Sequence, residues 1–107
     1  MFDPAMYTSM FDIVTTSYVV NVSGEKIVSA NTSRVALYLT ASSGLNVYLG
    51  LSPQVLQGTA TINFIGGTTY KLFWSQDGIM CQQAYYMWIS APGAVITVTE
   101  LIFKPER

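Results

Sequence analysis

Apolar and polar residues alternate with a period of two over most of this 107-residue chain, and no segment sustains a period of 3.6. The clearest case is Ser33 to Thr40, where Val35, Leu37 and Leu39 face one way and Arg34, Ala36, Tyr38 and Thr40 the other. Leu45 to Leu51 repeats the pattern, with Leu45, Val47, Leu49 and Leu51 opposite Asn46, Tyr48 and Gly50. Ala41-Ser42-Ser43-Gly44 lies between the two, so they are expected to form a hairpin with a Leu/Val inner face and a Tyr-bearing outer face. Thr59 to Phe64 places Ala60, Ile62 and Phe64 together. Thr68 to Ser75 places Tyr70, Leu72 and Trp74 against Lys71 and Phe73. Gly66-Gly67 predicts a second tight hairpin between those strands.

The most apolar stretch is Ala84 to Phe103, and it reads as two strands folded back on each other around Ala91-Pro92-Gly93. Pro presets φ for the first central position of a turn and Gly accepts a positive φ at the second. This expected third hairpin is apolar on both faces. Upstream, Phe11 to Val22 is rich in Val, Ile, Thr and Tyr and predicts one long strand or two short ones, followed by a short strand at Lys26 to Ser29. Ser52 to Gly58 is a loop, and Gln76-Asp77-Gly78 a turn. About eight short strands at this spacing predict an all-β fold, an antiparallel β-sandwich or jelly-roll-like barrel. The expected division is an N-terminal arm over residues 1–10 and a β-sandwich domain over 11–104.

Composition sharpens this picture. Only 10% of residues are charged, where a typical globular chain has about a quarter. Much of the surface must be Ser, Thr, Asn, Gln and Tyr, or be covered by another protein, so a homo-oligomer or a larger assembly is expected. A net charge of −1 with no run of like charge gives no footprint for nucleic acid or an anionic membrane. No charged residue lies between Arg34 and Lys71, yet polar residues, Gly and Pro recur throughout, and no membrane span is expected. The segment MFDPAMYTSM has neither the basic nor the apolar region of a secretory signal.

Candidate chemistry is sparse. There is no histidine, which removes the commonest general base and metal ligand. The six acidic residues match no calcium loop and no metal pair, so no cofactor or metal is expected. Cys81, the single cysteine, sits in an apolar context without a sequence-adjacent base and reads as an inert core thiol. Arg34 and Glu100 are embedded in strong strands and are expected to pair if those strands are neighbours.

Binding is the remaining route to function. Tyr38, Tyr48, Tyr86 and Trp88 occupy the less aliphatic faces of their strands. They fit sandwich packing, a protein–protein interface, or a sugar-stacking platform. Phe2, Met6, Tyr7 and Met10 make the N-terminal arm apolar, either as a loose end or as a segment docking on a neighbour.

The textures NTSRVALYLT, NVYLGLS, TTYKLFW and AYYMWISAPGAVITVTE resemble the small β-sandwich virion proteins of tailed bacteriophages, of the capsid decoration (cement) type, over residues 31–101. That resemblance implies a non-enzymatic protein assembled in the host cytoplasm. It would oligomerise, as a dimer or trimer, and bind the major capsid protein on the capsid exterior to stabilise the shell. A tail- or fibre-associated receptor- or carbohydrate-binding module is the alternative it leaves open.

Overall fold

The computed structural model describes residues 10–104. Eight strands form two four-stranded antiparallel sheets stacked face to face. In chain order they are β1 (Phe11–Val20), β2 (Glu25–Val28), β3 (Arg34–Ala41), β4 (Asn46–Gly50), β5 (Ile62–Ile65), β6 (Thr69–Phe73), β7 (Tyr85–Trp88) and β8 (Ala94–Phe103). One sheet has the order β1-β8-β3-β6 and the other β2-β7-β4-β5. The pairings β1–β8, β2–β7, β3–β6 and β4–β5 nest inside one another, as in a single long hairpin rolled up on itself. The pairs β3–β8 and β4–β7 then join the nested ladders into sheets. This is the jelly-roll winding.

The three expected hairpins are not hairpins. β3 and β4, β5 and β6, and β7 and β8 each fall in opposite sheets. Their turn residues do reverse the chain, but across the sandwich, so consecutive strands face each other through side chains rather than through backbone hydrogen bonds. Gly66 shows why glycine is needed at such a corner. Its N–H donates to Leu45 O at 2.5 Å, and a Cβ there would lie 1.8 Å from Ser42 O. The β5–β6 corner is pressed against the β3–β4 corner, and only a residue without a side chain fits between them. The one pair of consecutive strands that does share a ladder is β4–β5, joined by the long loop 51–61.

The alternation assigns faces correctly along most strands. Leu37 and Leu39, Val47 and Leu49, Ile62 and Phe64, Tyr85 and Met87, and Ile96 and Val98 all point inward and form one buried core. Burying a side chain of this size stabilises the fold by roughly 1.5–3 kcal/mol before entropy is counted. The first turn of β3 departs from the pattern. The β3–β8 register shifts between Arg34 and Ala36, and this bulge turns Arg34 inward rather than onto the outer face with Tyr38. Strand β6 stops at Phe73, so Trp74 begins a helical turn (Trp74–Asp77) and leaves the core face.

Arg34 is fully buried, and its Nε lies 3.1 Å from Glu100 Oε1, so the pair expected from sequence is formed. Its Nη1 donates to Gln83 O at 3.1 Å and Cys81 O at 3.4 Å, and its Nη2 donates to Ser29 O. One guanidinium therefore fastens the 29–31 loop and the 3₁₀ segment Gly78–Gln82 to the end of the sheet. Cys81 is buried beside it, and burial pushes its thiol pKa up, against a nucleophilic role. Its Sγ–H is turned to the carbonyls of Leu72 and Arg34.

Candidate protein-binding surface

Sandwiches in water usually alternate apolar-in and polar-out. Here both outer faces depart from that, in different ways.

On the outer face of the β2-β7-β4-β5 sheet, Tyr48 and Trp88 are cross-strand neighbours that meet edge to face, with ring centroids 5.6 Å apart at 87°. Tyr86 lies on the same face, between Lys26 and Gly50 of the flanking strands. The chain covers part of this face itself. A Cβ on Gly50 would lie 2.5 Å from Val55 Cγ2, because the 51–61 loop folds back over the sheet there and buries Val55. Gln57 Nε2 donates to Tyr48 Oη at 3.0 Å. The edge-to-face geometry and this cover mean that Tyr48 and Trp88 do not form one flat stacking platform.

The outer face of the β1-β8-β3-β6 sheet is organised in rows across the strands. Phe11 stands beside Phe103, with ring centroids at 5.4 Å. The next row is Ile13, Leu101, Ala36 and Phe73. Then come Thr15, Thr99, Tyr38 and Lys71, followed by Ser17, Thr97, Thr40 and Thr69. Hydroxyls bond across the ladders, Thr15 to Thr99 at 3.1 Å, Ser17 to Thr97 at 3.0 Å and Thr40 to Thr69 at 3.3 Å. Tyr38 packs edge-on to Phe73, with centroids at 5.8 Å. One end of this face is thus a continuous apolar patch running from β1 to β6, and its middle is a hydroxyl band. Ile13 within it is 73% exposed. Beyond Phe103 the patch continues into a shallow groove that also contains Val35 and Trp74, the latter 50% exposed.

The residues singled out from sequence are therefore divided. Tyr48, Tyr86 and Trp88 come together on one outer face, Tyr38 lies on the other, and all four are half-buried. Met10 is tied into the sheet beside β8, its carbonyl accepting from Lys104 N at 2.7 Å. Phe2, Met6 and Tyr7 lie outside the described residues. The apolar patch at Phe11, Ile13, Leu101, Phe103 and Phe73 was not singled out. The Val, Ile, Thr and Tyr content of Phe11–Val22 signals a strand, but not that this strand lies at a sheet edge with its outer face open.

Among the described residues no group of three or more His, Cys, Asp or Glu side chains is placed to hold a metal ion. No helix among them is long and apolar enough to cross a membrane.

No protein-family model matches the chain, and no curated protein matches it by sequence. Among solved structures it is similar to a subunit of Bacillus endospore appendages, described as a novel family of disulfide-linked pili, with a TM-score of 0.50 at 15% identity. The match covers 88% of this chain and 87% of that one. At that identity the likeness is one of fold.

Proposed function

We propose that this protein is a non-catalytic structural subunit of a multi-copy assembly, a virion protein that binds the outside of a capsid and stabilises the shell. The observation that carries the reading is the apolar patch spanning all four strands of the β1-β8-β3-β6 sheet, with Ile13 73% exposed at its rim. A patch of that kind on a small, weakly charged domain is suited to being covered by protein. The jelly roll serves as a rigid body that presents it, and the hydroxyl band beside it supplies donors and acceptors for the polar part of an interface. Stabilisation needs no chemistry, because area buried against the major capsid protein contributes directly to the cohesion of the shell. The resemblance of residues 31–101 to decoration proteins supports the capsid as the partner.

The second reading, a subunit of a pilus-like appendage, is favoured by the structural likeness to the endospore appendage subunit. Those pili are disulfide-linked. The single cysteine here is buried, so Cys81 is not available for a link between copies as the fold stands.

The test is to compare particles from a producing culture with and without an intact copy of this gene. The proposal expects shells lacking the protein to form but to release their contents at lower temperature. Particles of unchanged composition and heat resistance would overturn it, and loss of a filament instead would establish the second reading.

A further inference from the structure

Each sheet of an open sandwich has two edges, and an unguarded edge is a template for another strand. Among the described residues, three of the four sheet edges are guarded and β1 is the fourth edge. β2 has four residues, carries Lys26 and is bulged between Lys26 and Val28. β5 has four residues, and β6 has five and carries Lys71. β1 differs in every respect. It runs for ten residues in unbroken register with β8, without Pro, Lys or bulge. Its single charge, Asp12, is at one end and ion-paired with Lys104.

The backbone groups on the open side follow from the ladder. Met10 accepts from Lys104 N, so the even-numbered residues of β1 bond to β8. In an antiparallel ladder the intervening residues point their N–H and C=O the other way. Ile13, Thr15, Ser17 and Val19 therefore present theirs to the open edge. The side chains there are also exposed. On the outer side Ile13 and Val19 are 73% and 57% exposed. On the inner side the facing edge strand β2 is much shorter than β1, and Val14 and Tyr18 remain 39% and 37% exposed.

Residues 13–19 read Ile-Val-Thr-Thr-Ser-Tyr-Val. By bulk this is a palindrome about Thr16: two large side chains, three small hydroxylic ones, and two large ones, of which Tyr18 adds a phenol. Turned through a two-fold axis at Thr16, the strand meets a copy of itself with Ile13 opposite Val19, Val14 opposite Tyr18 and Thr15 opposite Ser17. Each large exposed side chain of this segment then faces another, each aliphatic hydroxyl faces an aliphatic hydroxyl, and no charge lies between 13 and 19 to repel its twin. The same register sets the outward backbone groups of 13, 15, 17 and 19 against one another, making roughly eight backbone hydrogen bonds. No other described edge is long enough to match it.

We infer that the occupant of this edge is β1 of a second copy, paired antiparallel about Thr16 to give a two-fold dimer with a continuous eight-stranded sheet. The inference deepens the structural-subunit reading by assigning the self-contact, and it leaves the apolar patches of both copies on one side of the joined sheet for the larger assembly.

The test uses the full chain. Sedimentation velocity between about 1 and 100 µM should give twice the chain mass at the upper end. In the proposed register Thr16 meets its twin in a non-hydrogen-bonded pair, with Cα atoms about 4.5 Å apart. That is within disulfide reach. Thr16→Cys should therefore oxidise to a covalent dimer. Val19→Cys, whose twin lies about 20 Å away along the strand, should not. Ile13→Lys, at an exposed site, should keep the circular dichroism of the parent and weaken dimerisation at least tenfold. A monomer throughout that range, or a dimer in which Thr16→Cys fails to cross-link, would overturn the inference. A monomeric protein that is still found on particles would do so while leaving the proposed function standing. A cross-linked dimer that never associates with particles would uphold the edge contact and defeat that function.

Discussion

Replacing Arg34 with Met tests whether the buried guanidinium holds the end of the sandwich together. Met fills much of the aliphatic volume but donates nothing. Two carbonyls, Ser29 O and Gln83 O, lose their side-chain donor, and Glu100 loses its counter-charge. An unsatisfied buried acceptor costs about 1–3 kcal/mol, and these two carbonyls are only partly buried, so each falls at the low end of that range. Glu100 stays 18% exposed, so water recovers part of its share. The contact to Cys81 O at 3.4 Å is long and adds little. The sum is about 3–5 kcal/mol, the range seen when one partner is removed from a buried ion pair. With a urea m-value of about 1–1.5 kcal/mol/M, the unfolding midpoint should fall by at least about 2 M. The assay is urea unfolding followed by tryptophan fluorescence at one fixed protein concentration, since a self-associating protein gains stability with concentration. Arg34→Lys keeps the charge but not the planar fork that reaches several acceptors, and should lose somewhat less. A loss below about 1 kcal/mol for Arg34→Met at unchanged m-value would mean that water replaces the guanidinium without cost and that Arg34 does not hold this end of the sandwich together.

Three further outcomes are expected. Gly66→Ala must displace the Ser42 carbonyl, since the new Cβ would start 1.8 Å from it. It should cost about 3 kcal/mol or more and lower Tm by over 10 °C in a calorimetric scan. Tyr85 is fully buried, and burial pushes its phenol up to about 12 from an ordinary 10. Between those values the unfolded chain has lost the proton that the folded chain keeps, so stability is intact below about pH 10 and falls as pH rises toward 12. Tyr85→Phe should shrink that fall in pH-dependent urea titrations, at the cost of the hydrogen bond to Met80 O. Trp88→Ala removes one ring of the edge-to-face pair on an outer face. It should cost the isolated protein about 1–2 kcal/mol and leave particle association little changed, because the patch proposed to meet the particle lies on the other sheet. A loss of association at unchanged Tm would move that contact to this face.

The inward faces of this fold were legible because a strand's side chains have a strict period of two. Leu37 and Leu39, or Val47 and Leu49, could hardly point anywhere else. What periodicity does not specify is the neighbour. Gly66-Gly67 and Pro92-Gly93 announce a reversal of the chain, and a reversal between stacked sheets uses the same residues as one within a sheet. In a jelly roll most partners are remote in sequence, so local reading favours the wrong pairings. Arg34 was misplaced for a related reason. A single bulged residue flips the face of everything before it, and nothing in Ser33-Arg34-Val35 marks the bulge. Its pairing with Glu100 was nevertheless foreseeable, because both charges are embedded in strong strands, and the β3–β8 ladder makes those strands neighbours. The surface was harder to read. The aromatic residues Tyr48, Tyr86 and Trp88 stand out in the sequence, but they share a face that the 51–61 loop partly covers at Tyr48 and Gly50. The more open surface belongs to Ile13, Val19 and their neighbours, and its exposure depends on β1 being an edge, a property of topology rather than composition.

A building component of a particle must travel with that particle. The most direct measurement is to fractionate a lysate of producing cells on a density gradient and follow the protein by quantitative mass spectrometry. As a structural subunit it should sediment with intact particles, in a fixed ratio to their major shell protein, and stay there after a salt wash. A protein found wholly in the soluble fractions, with no fixed ratio to any particle, would contradict it.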